Sequence, residues 1–133
     1  MKLTLLLTFM VLITASCCDK TGRFVIDGHC DKSLDGDTVS LAYSNDGTSL
    51  INFCTVVVSD GKFKFEGSVE GCKVAYICCR QGNNNLCTIF FLEEGYMTAT
   101  MDRAHFTVSG TGYNDMYNRF EDSVRYYIRE LED

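Results

Sequence analysis

The stretch VVVSDGKFKFEGSV, residues 56–69, sets an Asp60-Gly61 pair between two runs in which apolar and polar residues alternate. A two-residue hairpin loop of this kind needs positive φ at both central positions, and Asp-Gly tolerates it. The reading sets Val58 opposite Phe63 and Val56 opposite Phe65, with Cys54 on the same face. Thr55, Val57, Lys64 and Glu66 then fill the other face. A slip of one residue would carry Phe63 and Phe65 into water, so the register is strongly specified. The segment is expected to be a hairpin with one buried face, and it makes the chain mainly β.

Outward from this hairpin the same signals recur. Residues 23–28 (RFVIDG) alternate Phe24 and Ile26 with polar neighbours, DKSLDGD at 31–37 reads as a turn, and residues 38–43 alternate Val39, Leu41 and Tyr43 before the turn SNDG. Without any proline, turns must be made by Gly, Asn and Asp. A second hairpin joins residues 73–79 to 86–92 around the polar loop RQGNNN. Both arms are almost wholly apolar, which predicts strands covered on both faces. If paired residue numbers sum to about 166, Cys79 faces Cys87, Ile77 faces Ile89 and Ala75 faces Phe91. That register allows a Cys79–Cys87 disulfide, and two buried thiols are the other reading. Glu93, Glu94 and Gly95 close the hairpin, and the chain continues into a strand at 96–101 and a short one around Phe106 and Val108.

From Gly112 the period changes. Tyr113, Met116, Tyr117, Phe120, Val124, Tyr127, Ile128 and Leu131 recur at steps of three and four, with Asp115, Arg119, Glu121, Asp122, Arg125, Arg129 and Glu130 opposite. This predicts an amphipathic helix of about 17 residues with Asn114 or Thr111 as its N-cap. Its wide stripe must lie on the sheet or on another protein. The expected fold is an antiparallel β-sandwich or partly closed barrel of about 7–8 strands, residues 23–111, followed by one C-terminal amphipathic helix, residues 112–133.

The first residues read differently. Lys2 is followed by an uncharged apolar run, residues 3–13, and then by small residues, the order of an export signal spanning residues 1–16. The run falls short of the roughly 20 apolar residues that a spanning helix needs. Thr14, Ala15, Ser16 and Cys17 resemble a lipobox, with Thr14 where a Leu usually stands. Cys17 is therefore the expected lipid attachment site, its sulfur a thioether to a lipid whose acyl chains are worth about 0.8 kcal/mol per buried methylene. Residues 17–22 would be a tether. Simple cleavage near Ala15 or Ser16, giving a soluble exported protein, is the alternative. With the anchor, the protein sits in the cell envelope on the outer or inner membrane, facing the periplasm or the cell surface.

Removal of residues 1–16 loses only Lys2, leaving 11 basic against 18 acidic residues and a net charge of −7. An acidic chain repels phosphate backbones, so no nucleic-acid partner is expected. Of eight cysteines, an acylated Cys17 leaves seven. None has the Cys-x-x-Cys spacing that a thioredoxin-type centre needs. A zinc site drawn from His29, Cys72, Cys78, Cys79 and Cys87 lacks paired knuckles, and adjacent strand residues such as Cys78 and Cys79 point to opposite faces. His29 and His105 have no nucleophile motif beside them. The expectation is no catalytic residue, no metal, no cofactor and no enzymatic activity.

FVIDG, the Gly36-Asp37 step before VSLAY, VVVSDGKFKFEGSV, IFFLEEG and VSGTGYNDMYNRF, in that order, resemble domain of unknown function 4369. The resemblance covers residues 22–120. That family is the N-terminal accessory domain of thioredoxin-like lipoproteins of Bacteroidetes. Since the sequence ends at Asp133, the resemblance implies an accessory module and linking helix without the thioredoxin-like part. It implies two functions: a non-catalytic binding module, or an accessory domain of a thiol-disulfide oxidoreductase system with a thioredoxin-like protein docked on residues 112–133. Metabolic labelling with palmitate is expected to mark the wild-type protein and to leave Cys17→Ala unlabelled; equal labelling would move the anchor elsewhere.

Overall fold

The alternating runs and the two apolar arms become eight strands among the described residues: β1 (Thr21–His29), β2 (Thr38–Ser44), β3 (Leu50–Val57), β4 (Lys62–Glu70), β5 (Lys73–Gln81), β6 (Asn84–Leu92), β7 (Gly95–Met101) and β8 (Phe106–Ser109). Among the described residues one α-helix, α1 (Gly112–Glu132), follows them, longer than its periodicity predicted. The coordinates are a computed structural model that describes residues 21–102 and 105–132. Cys17 and the signal segment lie outside the described residues.

The strands form two four-stranded sheets, ordered β4-β1-β7-β8 and β3-β2-β5-β6. They face each other as a sandwich, and neither closes into a barrel. All pairs are antiparallel except β1 with β7, which run parallel. β7 reaches β1 from the end of the other sheet, and that crossing sets its direction. Between the sheets lies the core: Phe24, Ile26, Phe65 and Met97 from the first, Val39, Leu41, Ile77 and Phe90 from the second, each at most 2% exposed. Each such side chain contributes about 1.5–3 kcal/mol on leaving water.

The opening stretch keeps its turn and its faces but not its pairing. Asp60 and Gly61 take φ of 53° and 67°, both positive as the two-residue turn demands. Val58, Phe63 and Phe65 are buried together. Yet only Ser59 and Lys62 are bridged across the turn. Beyond it β4 pairs with β1, setting Phe65 opposite Ile26, while β3 pairs with β2, setting Val56 opposite Val39. The chain uses the turn to pass from one sheet to the other. What parts the strands is the segment after β1. Val58 exchanges backbone bonds with Gly36 and Asp37 at 3.0 and 2.9 Å instead of with Phe63. Cys30 N–H donates to the Gly61 carbonyl at 2.8 Å, and the Asp35 carboxylate accepts from Gly61 N–H at 2.8 Å. The corner is thus bolted to the loop that precedes β2.

The second hairpin corrects the expected register by one residue. β5 and β6 turn through Gly82 and Asn83 alone, with Gln81 opposite Asn84 and Gly82 at a φ of 58°. A two-residue loop makes paired numbers sum to an odd value, here 165, whereas the predicted 166 needs an odd-length loop. Cys87 therefore faces Cys78, not Cys79, and the disulfide is Cys78–Cys87. Cys79 turns into the core as a free, fully buried thiol. The two arms are not covered on both faces either. One face is core, while Val74 (37% exposed) and Ile89 (43%) lie open on the other.

At Gly61 a Cβ would come 2.7 Å from the Cys30 carbonyl oxygen, whereas one at Gly36, also at positive φ, would meet nothing within 4 Å. Gly61→Ala is expected to cost about 1–3 kcal/mol in urea denaturation, and more than Gly36→Ala.

Candidate interaction site

The start of α1 is fastened by polar groups that complete a helix N-terminus. The Thr111 carbonyl accepts the Asp115 N–H at 2.9 Å, so Thr111 occupies the cap position. Glu93 Oε1 accepts from Tyr113 N–H at 3.0 Å, and Asp115 Oδ1 accepts from Gly110 N–H at 2.8 Å. Carboxylates here also oppose the positive end of the helix dipole.

Asn114 is no cap. It is 1% exposed and takes the place of a neighbouring strand. β6 is the edge of its sheet, and Asn114 Oδ1 accepts from Phe91 N–H while its Nδ2 donates to the Phe91 carbonyl, both at 2.8 Å. The remaining amide hydrogen goes to Thr111 Oγ1 at 2.8 Å. One turn later Asn118 Nδ2 donates to the Val108 carbonyl, at 2.8 Å, on the facing edge strand β8. Two amides therefore clip the helix across one edge of each sheet. The Phe91 ring completes the joint, with centroids 6.1 Å from Tyr113 and 5.8 Å from Tyr117.

Past this first turn and a half the helix leaves the body. Phe120 (64%), Tyr127 (64%), Ile128 (51%) and Leu131 (87%) are exposed. The stripe Tyr113, Tyr117, Phe120, Val124, Tyr127, Leu131 advances by alternating steps of four and three, the 3.5-residue period of helices that pack against another element. Its opposite face carries the charges.

The outer face of the β3-β2-β5-β6 sheet lies on the same side. Thr55, Ser40, Cys78 and Cys87 stand opposite one another in a row across all four strands, with a Ser40–Thr55 hydroxyl bond of 3.0 Å and the disulfide at the β6 end. The next rows pair Tyr76 with Ile89 and Val74 with Phe91, leading to α1. Between β6, β8 and α1 runs a groove of about 370 Å³ lined by Cys87, Ile89, Val108, Tyr117, Asn118 and Arg125. Tyr117 Oη donates to Glu121 Oε1 at 2.9 Å, and that bond, with burial, raises the Tyr117 pKa. Glu121 also pairs with Arg125 at 3.7 Å.

The remaining thiols do not join this site. Cys79 is buried and Cys30 half-buried, and burial is the main cause that raises the pKa of each. Cys72 is exposed with a raised pKa, chiefly from desolvation and then from Glu93. A second hollow of about 590 Å³ gathers His29, Cys30, Asp31 and Asp102. Among the described residues no three His, Cys, Asp or Glu side chains group to hold a metal ion. Of the predicted site residues, Cys87 thus lies at the groove, Cys79 faces the core, and Cys17 is outside the described residues.

Comparison with family models matches residues 24–117 to a domain of unknown function, DUF4369. The chain belongs to that family. The match runs from β1 through the two amide clips' first member, Asn114, and ends at Tyr117, so the exposed side chains from Phe120 to Leu131 lie beyond it. Searches of curated proteins and of solved structures find no match. Asn114→Ala would leave the part-buried N–H and C=O of Phe91 without their partner, and is expected to cost about 1–3 kcal/mol in urea denaturation.

Proposed function

We propose that this DUF4369 chain is a membrane-anchored envelope lipoprotein working as a non-catalytic binding module, with α1 and the adjoining sheet face as its docking surface. The observation that carries this reading is the exposed stripe of α1. Seven large apolar side chains, Tyr113, Met116, Phe120, Val124, Tyr127, Ile128 and Leu131, are each at least 40% exposed. Together they present on the order of 800 Å², about one partner's share of a standard protein interface and more than most monomers leave in one patch. Leader, Cys17 and acidic charge support the envelope location and argue against nucleic acid.

A second reading is favoured by one specific feature. The exposed Cys78–Cys87 disulfide beside the helix suits an accessory domain of a thiol-disulfide oxidoreductase system, with a thioredoxin-like protein docked on α1. Deleting the whole helix would also remove Asn114 and disturb the fold, so point changes are the sharper test. Phe120→Asp with Tyr127→Asp is expected to keep the wild-type urea midpoint and to lose the proteins co-purified from envelope extracts, a Cys-x-x-Cys protein among them. An unchanged set of partners would overturn docking through α1.

A further inference from the structure

We propose that Cys78–Cys87 is a thiol-disulfide exchange site, attacked at the Cys87 sulfur from the groove between β6, β8 and α1 by a reduced protein dithiol of the thioredoxin type. The proposal rests on the second reading above and deepens it.

Position argues against a purely structural staple. A disulfide stabilises most when it closes a long loop of the unfolded chain. This one spans nine residues and joins strands that a two-residue turn has already brought together. It lies on the solvent face, with Cys87 exposed and Cys78 half-buried, so opening it leaves the core on the opposite face untouched. Cys79, the nearest other thiol in the chain, points into that core and cannot compete.

The direction of attack follows from the sheet. Exchange proceeds in line, with the incoming sulfur, the attacked sulfur and the leaving sulfur close to one axis. Cys78 sits on the inner strand β5 and Cys87 on the edge strand β6, so the axis extended beyond Cys87 leaves the sheet into the groove that Cys87 lines. Extended the other way it crosses β2 and Ser40, which stands opposite Cys78. The open approach is to Cys87.

The edge also offers a seat for the attacking segment. Because Phe91 gives its N–H and C=O to Asn114, those groups point away from β5. Orientation repeats every second residue, so Ile89 and Cys87 also turn their backbone groups toward the groove. The Cα separation of 4.1 Å between Cys78 and Cys87 fits such a pair without mutual backbone bonds. An extended segment carrying the attacking cysteine can pair with β6 there, as peptides add to exposed sheet edges. On the leaving side, Arg80 lies two residues from Cys78 on the same strand face, where a cation favours the departing thiolate.

The chemistry balances. A partner thiolate bonds to Cys87 Sγ, the Cys78–Cys87 bond breaks, and Cys78 leaves as a thiolate. The partner's second thiolate then attacks its own sulfur in the mixed disulfide and releases Cys87. The partner ends as a disulfide, this chain gains two electrons, and the two thiol protons pass to Cys78 and Cys87.

The test uses the full mature protein and a thioredoxin whose resolving cysteine is replaced by serine, so that the mixed disulfide accumulates. Peptide mapping is expected to find the adduct on Cys87, and Cys87→Ser is expected to abolish it with the urea midpoint retained. An independent measurement needs no variant: after dithiothreitol under native conditions, alkylation should label Cys78 and Cys87 and leave Cys79 unlabelled. An adduct confined to Cys30, Cys54 or Cys72, or a bond that stays closed while the protein is folded, would overturn the proposal. If the trap binds without forming an adduct, exchange fails and docking stands. If the adduct forms equally on Phe120→Asp/Tyr127→Asp, exchange stands and docking on α1 fails.

Discussion

Every strand in this molecule has one face against the other sheet, and which residues take that face is decided by a period of two. The core between the sheets is the constraint on which the rest depends: Phe24, Ile26, Phe65, Leu41, Ile77 and Phe90 leave water only if each strand is phased correctly. Phase then assigns everything else. On β5 it sends Ile77 and Cys79 inward and Tyr76 and Cys78 outward, so two adjacent cysteines acquire different chemistry. The inner one is a small core hydrophobe whose thiol is held protonated by burial, and the outer one is half of a solvent-facing disulfide.

Much of this was legible in the residues. Asp60-Gly61 takes the positive φ pair that its turn type requires, the alternating runs and the two apolar arms are strands, and the three-and-four spacing after Gly112 is a helix. Strand partners were less legible, because a turn signal says that the chain reverses and not that its arms stay together. Between β3 and β4 the reversal serves a change of sheet, directed by Asp35 and Gly36 from a loop more than twenty residues earlier. The Cys79–Cys87 pairing failed for a smaller reason. RQGNNN allows loops of different length, and one residue of loop inverts the parity of every pair that follows.

The sequence offers Asn114 and Thr111 alike as the cap, and Thr111 takes that place while Asn114 does not. Nothing local distinguishes an Asn that caps its own helix from one that reaches a strand 23 residues earlier in the chain, since both lie in the first turn. Its two bonds to Phe91 do for β6 what another strand would do, and Asn118 does the like for the Val108 carbonyl on β8. Edge strands invite pairing with other chains, and covering the edge with a helix is one established defence. Here the cover is partial. Phe91 is closed off, whereas Cys87 and Ile89 face an open groove.

The apolar arms of the second hairpin carry the same lesson in reverse. Their composition predicted burial on both faces, yet Val74 and Ile89 face outward. Outer face and helix stripe meet at Phe91, beside Tyr113 and Tyr117, two rows of paired residues from the disulfide. A partner lying along α1 would thus be led by contact alone to the β6 edge, where backbone groups and one sulfur are presented together. Under the proposed docking, specificity would come from the length of the stripe and exchange from the disulfide near its inner end, so the two could be separated by substitution without touching the core.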